Sequence, residues 1–455
     1  MTVQAEDTQT RAGWLTPNRR RALRAGAVLI GLVVLTACAG DTELDTRTDL
    51  QGPEAQEIES FMNWVLIIAY IVFAGVLGVT ALAWQKFRVK GEYEEDDWPE
   101  QIHGNNTLEI AWTIAPALVL ALIGFVTIGV HNSINSEDTN PISVVVGGES
   151  VTWEPQVVVV GQQWWWEYQY HFGDVDVDQE RVETLPQADI ITATQMVVPI
   201  GTEIELEITS RDVIHSHWIP SLNGKRDAVP GRQSAPWKIE ADTPGVYFGQ
   251  CTEFCGLSHS RMRMQVVALP EAEFNAWITA QMEGVPLDAD TAAYVDQLVN
   301  GDTPAPETPL ERGVATFRAK CASCHLMEGV ADDLWSQESV SSQLVSGAAP
   351  NLTHFSSRTT FAGGIRNIWD TDTGEFDEVH LRQWLVDPDS VKANFTEPDE
   401  RGRLRGMPNL NLSTQEIDDL IGLLEITGPK PSPEVIGWTD VGNNEVNHAA
   451  AGGDE

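Results

Sequence analysis

Two stretches of the chain stay free of charge for long enough to cross a bilayer. Residues 61–84 and 110–130 contain no Asp, Glu, Lys or Arg. Each runs to a little over twenty residues, which at about 1.5 Å per helical residue spans a hydrocarbon core of about 30 Å. Trp64 and Trp84 stand near the ends of the first, as interfacial anchors do. Pro116 lies inside the second, where membrane helices tolerate it. Lys86, Arg88 and Lys90 follow the first stretch, whereas only Arg47 lies between Cys38 and Phe61. The positive-inside bias puts the 87–105 loop in the cytoplasm and both flanks outside. A transmembrane hairpin over 61–135 is therefore expected, preceded by an extracytoplasmic segment over 38–60.

Beyond residue 140 the period changes. G-T-E-I-E-L-E-I-T at 201–209 alternates acidic and aliphatic residues, the pattern of a strand with one wet face. Runs at 157–160, 196–200, 246–249 and 264–269 add strand-like segments between Gly and Pro turns. Several short strands predict a sandwich or Greek-key barrel over 140–283, closed by an acid-led helix at 270–283. Q-W-W-W-E-Y-Q-Y at 163–170 puts Trp164, Trp166, Tyr168 and Tyr170 on one strand face and Trp165 on the other. That exceeds one core's need, so part of this strand is expected to meet a partner. Residues 284–308 turn polar and Pro-rich and read as a linker. A third unit follows over 309–428, in which Ser413 and Glu416 form a capping box at the start of the last helix. The Pro-, Gly- and acid-rich tail at 429–455 is expected to be disordered.

The N-terminus reads as an address rather than as fold. Arg19, Arg20, Arg21 and Arg24 precede an apolar run too short for a comfortable span. It ends in Leu35-Thr36-Ala37-Cys38, which resembles the bacterial lipobox. The resemblance implies removal of residues 1–37 and acylation of Cys38 outside the cytoplasmic membrane.

A chain of 455 residues predicts about three units. The net charge of −39 argues against nucleic-acid binding, because phosphates would be repelled. Acids concentrate at 92–100, 284–303, 370–400 and the C-terminus, consistent with a solvated acidic surface or a docking field for a basic electron donor. The five cysteines are Cys38 and two closely spaced pairs, which leaves none for a separate structural disulfide.

The first pair lies in G-Q-C-T-E-F-C-G-L-S-H-S-R-M, residues 249–262. Cys251, Cys255, His259 and Met262 offer thiolates, an imidazole and a thioether, soft donors that suit copper better than magnesium or calcium. His215 or His217 could supply a second imidazole. Spacing alone leaves a disulfide or a thiol-redox or copper-chaperone pair open. The second pair lies in Cys321-Ala-Ser-Cys324-His325, the c-type haem attachment motif, with two thioether anchors and an axial imidazole. Only Met327 and Met407 follow it. Met327 is too close to His325 to reach the opposite haem face, which leaves Met407 as the sixth ligand, with His354 and His380 as competitors.

D-V-I-H-S-H-W-I-P-S-L-N-G-K-R-D-A-V-P-G-R at 212–232, followed by P-G-V-Y-F-G-Q-C-T-E-F-C-G-L-S-H-S-R-M at 244–262, resembles subunit II of cytochrome c oxidase. The resemblance implies a binuclear CuA centre on His215, Cys251, the Glu253 carbonyl, Cys255, His259 and Met262, in a cupredoxin fold. It implies that the Glu253 carboxylate shares a magnesium or manganese ion with subunit I. It also places Trp164 near the copper on the electron-input side, and Glu109, in N-N-T-L-E-I-A-W, by a proton channel of subunit I. His217 then reads as surface or as a neighbour of the ligands. Ala349-Pro350-Asn351-Leu352 matches the cytochrome c segment whose proline carbonyl orients the haem histidine.

The full order resembles the caa-type oxidases: a multidomain membrane protein with a two-helix transmembrane hairpin, a cupredoxin-like Greek-key β-sandwich and a C-terminal all-α class I cytochrome c domain. The function implied is electron input to a proton-pumping oxidase in a bacterial cytoplasmic membrane. Electrons would come from an external donor such as a cytochrome c or the bc complex, through haem c and CuA, to haem a in subunit I, with subunit III alongside. Dioxygen reduction would take place in subunit I. A copper chaperone, a nitrogen-oxide reductase subunit and a free-standing electron shuttle are the competing readings.

Overall fold

The computed structural model describes residues 50–88, 103–135, 139–172, 188–232, 234, 237–334, 349–395 and 406–438, all within one compact unit. Cys38, the segment read as a signal peptide and the last seventeen or so residues lie outside them.

Both apolar stretches are helices, and both are longer than their charge-free cores: α1 is Pro53–Phe87 and α2 is Asn106–Ile134. The extension of α1 takes in part of the expected 38–60 segment, because that end is held by the β-domain. Gln51 and Gly52 donate backbone N–H groups to Ser221 O at 2.9 and 3.2 Å. Glu54 is buried with Lys238 Nζ 3.6 Å away. Gly52 is the N-cap, and a Cβ there would stand 2.6 Å from Glu240 O. The apolar faces of both helices are exposed within the chain, as expected of surfaces that meet lipid or other subunits.

The β-domain comprises β1 (Ile142–Val146), β2 (Glu149–Trp153), β3 (Gln156–Gln162), β4 (Trp165–Tyr170), β5 (Ile190–Ala193), β6 (Gln195–Pro199), β7 (Ile204–Ser210), β8 (His215–Trp218), β9 (Lys225–Ala228), β10 (Trp237–Ile239), β11 (Gly245–Gln250) and β12 (Arg263–Leu269). A five-stranded sheet in the order β10-β7-β3-β4-β5 and a three-stranded sheet β11-β12-β6 form the sandwich, with hairpins β1-β2 and β8-β9 at its margins. Trp153, Trp166, Tyr168, Tyr170, Met196 and Leu206 are among the large side chains fully buried in its core.

Two expectations change here. The acidic face of β7 is only partly wet: Glu205 is half-buried and Glu207 is 2% exposed. β7 lies inside the sheet between β10 and β3, and β9 packs over it with Arg226 as a charged neighbour. The aromatic block is covered within the chain itself. Trp164 and Trp165 precede and begin β4, and both are buried along with the aromatics that follow.

α3 (Glu271–Gln281) closes the domain. The expected linker at 284–308 is corrected, since it contains helix α4 (Ala289–Val299). Asp288 caps α4 by accepting Thr291 N–H at 2.8 Å, and Tyr294 and Val295 bury against the C-terminal core. The C-terminal unit continues with α5 (Pro309–Lys320), a two-stranded ladder of β13 (Thr360–Phe361) and β14 (Arg366–Asn367), then α6 (Glu378–Val386), α7 (Pro388–Val391) and α8 (Thr414–Glu425). The ladder is an addition to an expected all-α unit. α5 and α8 cross closely at Gly313, where a Cβ would meet Asp419 O at 2.5 Å. Arg312 locks the crossing with two bonds to the Asp419 carboxylate, at 2.9 and 3.1 Å. The expected disorder from 429 is also corrected as far as 438: α9 (Pro433–Gly437) is capped by Ser432, with Val435 in the sandwich core and Ile436 in the C-terminal core.

His354 ties the two units together, its Nε2 lying 2.9 Å from Gln281 O at the end of α3. Burial, aided by the Arg358 charge, lowers its pKa to about 4. The fold therefore favours the neutral ring. Stability from this group is present above the unfolded value of about 6.5 and is lost as pH falls toward about 4. The melting temperature is expected to fall less steeply over that window in His354→Gln than in the parent, as followed by circular dichroism. Equal slopes would assign the acid sensitivity to other groups.

Candidate metal centre

The loop between β11 and β12 gathers the soft donors. Gln250 and Arg263 are cross-strand partners, and Cys251 N–H donates to Met262 O at 2.9 Å, so residues 251–262 form a closed loop. Inside it the Cys251 and Cys255 sulfurs stand 3.7 Å apart as free thiols. Cys255 Sγ is 3.5 Å from His259 Nδ1 and 3.7 Å from Met262 Sδ. Cys251 Sγ is 3.3 Å from the Glu253 carbonyl oxygen and 3.9 Å from His215 Nδ1, which arrives on β8. His215, Cys251, Cys255 and Met262 are buried.

Local sequence explains why these groups converge. Gly161 leaves room for the His215 ring, which a Cβ would meet at 2.9 Å. Gly249 lets β11 pass β8, since a Cβ there would lie 2.3 Å from Trp218 O. Gly256 turns the loop after Cys255 with φ +112°. Asp212 Oδ1 lies 2.8 Å from His215 Nε2, so the imidazole is oriented with Nδ1 toward the sulfurs. The indole N–H of Trp164 and the amide of Gln163 both donate to Cys255 O, at 3.0 and 2.6 Å.

The two thiols do not ionise independently. A hydrogen bond from Cys255, and then one from His215, pulls the Cys251 thiol down. Cys255 is pushed up, chiefly because its bond to Cys251 and its burial both favour the thiol. Both become thiolates only when a cation joins them. His217 is neither at the surface nor in the cluster. It is buried with Nε2 3.3 Å from the Tyr168 hydroxyl, and burial lowers its pKa to about 3.

Glu253 and Phe254 are exposed at the tip of the loop. Asn105 caps α2 by accepting Leu108 N–H at 3.2 Å, and the Glu109 carboxylate in the first turn accepts Asn105 N–H at 3.3 Å. Sequence reasoning missed Asp212, although its place three residues before His215 on a turn was a readable sign.

The second pair sits at the end of α5. Cys324 and His325 N–H groups both donate to Cys321 O, at 3.0 and 2.9 Å. Cys321 is buried and its thiol is pushed up to about 12, whereas Cys324 is partly exposed. His325 Nδ1 lies 2.8 Å from Pro350 O, and burial pulls its pKa down. Met407 packs on the same core. His354 is held by Gln281 O and His380 Nδ1 by Asp377. Arg358 is buried here, bonded to Asn351 O but with Nε unpartnered, and no carboxylate pairs with it among the described residues.

A family profile described as cytochrome C oxidase subunit II, periplasmic domain, matches residues 156–269, and its transmembrane counterpart matches 47–130. Cytochrome c oxidase subunit 2 of Alkalihalophilus pseudofirmus is 30% identical over 366 residues, covering 80% of this chain and 87% of its own. This chain belongs to the cytochrome c oxidase subunit II family. The counterpart from Bacillus sp. strain PS3 is 29% identical over 317 residues, covering 67% of this chain and 71% of its own. The crystal structure of the periplasmic domain of subunit II from Bradyrhizobium japonicum is 28% identical, covering 28% of this chain and 91% of that one, with a TM-score of 0.22.

As a subunit II, the protein is part of an oxidoreductase complex, the electron-input subunit of a haem–copper oxidase that works with subunit I. It is membrane-anchored, with its β-domain outside the membrane. The family implies a binuclear CuA site, and the buried His215-Cys251-Cys255 cluster has the donor chemistry for copper.

Proposed function

We propose that this subunit II is of the caa type and carries two redox groups on its own chain. His215, Cys251, Cys255, His259 and Met262, with the Glu253 carbonyl, would hold the copper pair. Cys321 and Cys324 would hold a haem by thioethers, with His325 and Met407 as axial ligands. The observation that carries the reading is the convergence of three sulfurs and one imidazole of a closed loop with a second imidazole, His215, from β8, with neighbours 3.5–3.9 Å apart. The haem reading is supported by the His325–Pro350 bond and by Arg358, a buried cation with no carboxylate partner among the described residues, which suits a carboxylate-bearing cofactor.

When bound, each group exchanges one electron at a time. The chain's own residues prepare that exchange. Asp212 and Pro350 O orient the His215 and His325 imidazoles, and Trp164 and Gln163 brace the copper loop through Cys255 O. Burial excludes water from the sulfurs. The C-terminal unit would accept electrons from an external donor, a cytochrome c or the bc complex, and the copper loop would pass them toward haem a in subunit I, with subunit III alongside.

Glu253 would bind magnesium or manganese at that interface, and Glu109 would assist proton uptake for pumping. Cys38 would carry a lipid, in a bacterial cytoplasmic membrane. The C-terminal unit is tested by denaturing electrophoresis of the purified oxidase. Subunit II is expected to keep its haem through boiling and to stain for haem peroxidase activity. Loss of haem from that band would overturn the caa reading.

A further inference from the structure

We infer that Lys392 is a positioning residue for electron transfer, clasping the C-terminal unit to the copper loop through the Trp164 carbonyl. The inference rests on the proposed caa-type function. Residues 391–395, which run from the last residue of α7, lie along the copper loop. Arg261 Nη1 donates to Val391 O at 2.6 Å, and Ser258 Oγ donates to Ala393 O. Between these bonds the Lys392 ammonium donates to Trp164 O at 2.6 Å and to Ala362 O at 2.9 Å. Trp164 in turn donates its indole N–H to Cys255 O. A short bonded relay, Ala362–Lys392–Trp164–Cys255, therefore joins the unit carrying the haem motif to a copper-loop cysteine. Phe395 covers the outer side of Trp164, with ring centroids 5.1 Å apart.

Two features argue against incidental packing. Lys392 is 5% exposed and has no carboxylate partner among the described residues. Burying a lysine amine is costly, and a methionine of similar length would fill the space without that cost. Gly363, at φ +74°, is shaped around the contact: a Cβ there would stand 2.1 Å from Lys392 Nζ and 2.7 Å from Trp164 O. Gly363 O also accepts Arg263 N–H at 3.0 Å, so the same turn is bonded to β12.

The step affected moves one electron, oxidising the ferrous haem and reducing the mixed-valence copper pair, with no bond made or broken. Its rate depends on how closely and how steadily the two units are held.

The test is transient absorption on the purified oxidase, following electron transfer from photoreduced haem c to the copper pair. Lys392→Met is expected to slow this transfer at least tenfold, while the copper EPR signal and direct reduction of the copper by dithionite stay at parent values. Phe395→Ala, which spares the buried lysine, is expected to slow it severalfold and guards against misfolding of the first variant. Transfer within twofold of the parent in both variants would overturn the inference. A parent protein without haem c or without the copper signal would instead overturn the reading on which it rests.

Discussion

Cys255→Ser is expected to abolish the copper centre while leaving the haem absorption of the C-terminal unit intact. Cys255 Sγ stands within 3.7 Å of the Cys251 sulfur, His259 Nδ1 and Met262 Sδ, so every other loop side chain in the cluster is grouped around it. A serine hydroxyl stays protonated at neutral pH and is a hard donor, so it replaces neither the charge nor the softness of a bridging thiolate. Asp212→Asn gives the graded comparison. It removes no proposed ligand but weakens the acceptor at His215 Nε2, and copper affinity is expected to fall about 10–100-fold. EPR and copper content of the purified variants check both results. A full mixed-valence signal in Cys255→Ser would show that this sulfur holds no copper.

Met407→Leu is expected to produce the largest change in the C-terminal unit. Thioether ligation raises the haem potential relative to other axial ligands. Its loss is expected to lower the midpoint by roughly 100 mV or more. At about 59 mV per tenfold for one electron, that shifts the equilibrium with the copper pair some fiftyfold or more. His380→Leu is expected to leave the potential near the parent value, since His380 is engaged by Asp377. Spectroelectrochemical titration at the haem absorption band decides between them. A potential that moves with His380 and not with Met407 would assign the sixth position to histidine.

The most legible parts of this protein are those written in local spacing. Charge-free runs marked both membrane helices, and β12 starts one residue before the expected strand. The copper loop was readable because its donors lie within twelve residues between two strands. Only His215 comes from afar, and its choice over His217 needed the family pattern. Both are buried, and their polar contacts show the physical difference: His217 Nε2 meets the Tyr168 hydroxyl, whereas His215 Nδ1 faces the Cys251 sulfur.

What spacing does not carry is tertiary cover. Glu207 reads as solvent-facing until β9 is laid over it. The aromatic block suggested a partner protein, but the chain covers Trp164 with its own Phe395. α4 and α9 lie in polar, Pro-bearing stretches, yet each buries two or three side chains that composition averaged away. Lys392 drew no notice because an isolated lysine in an acidic chain looks like a surface residue.

One subunit II chain is expected to hold a copper pair in the 251–262 loop and an iron porphyrin on the Cys321/Cys324 motif. Metal analysis of the isolated subunit, combined with EPR, tests it most directly. The expected result is about two coppers per covalent haem iron, with an unpaired electron shared between the coppers. Zinc in their place, a single copper, or no copper would contradict the account.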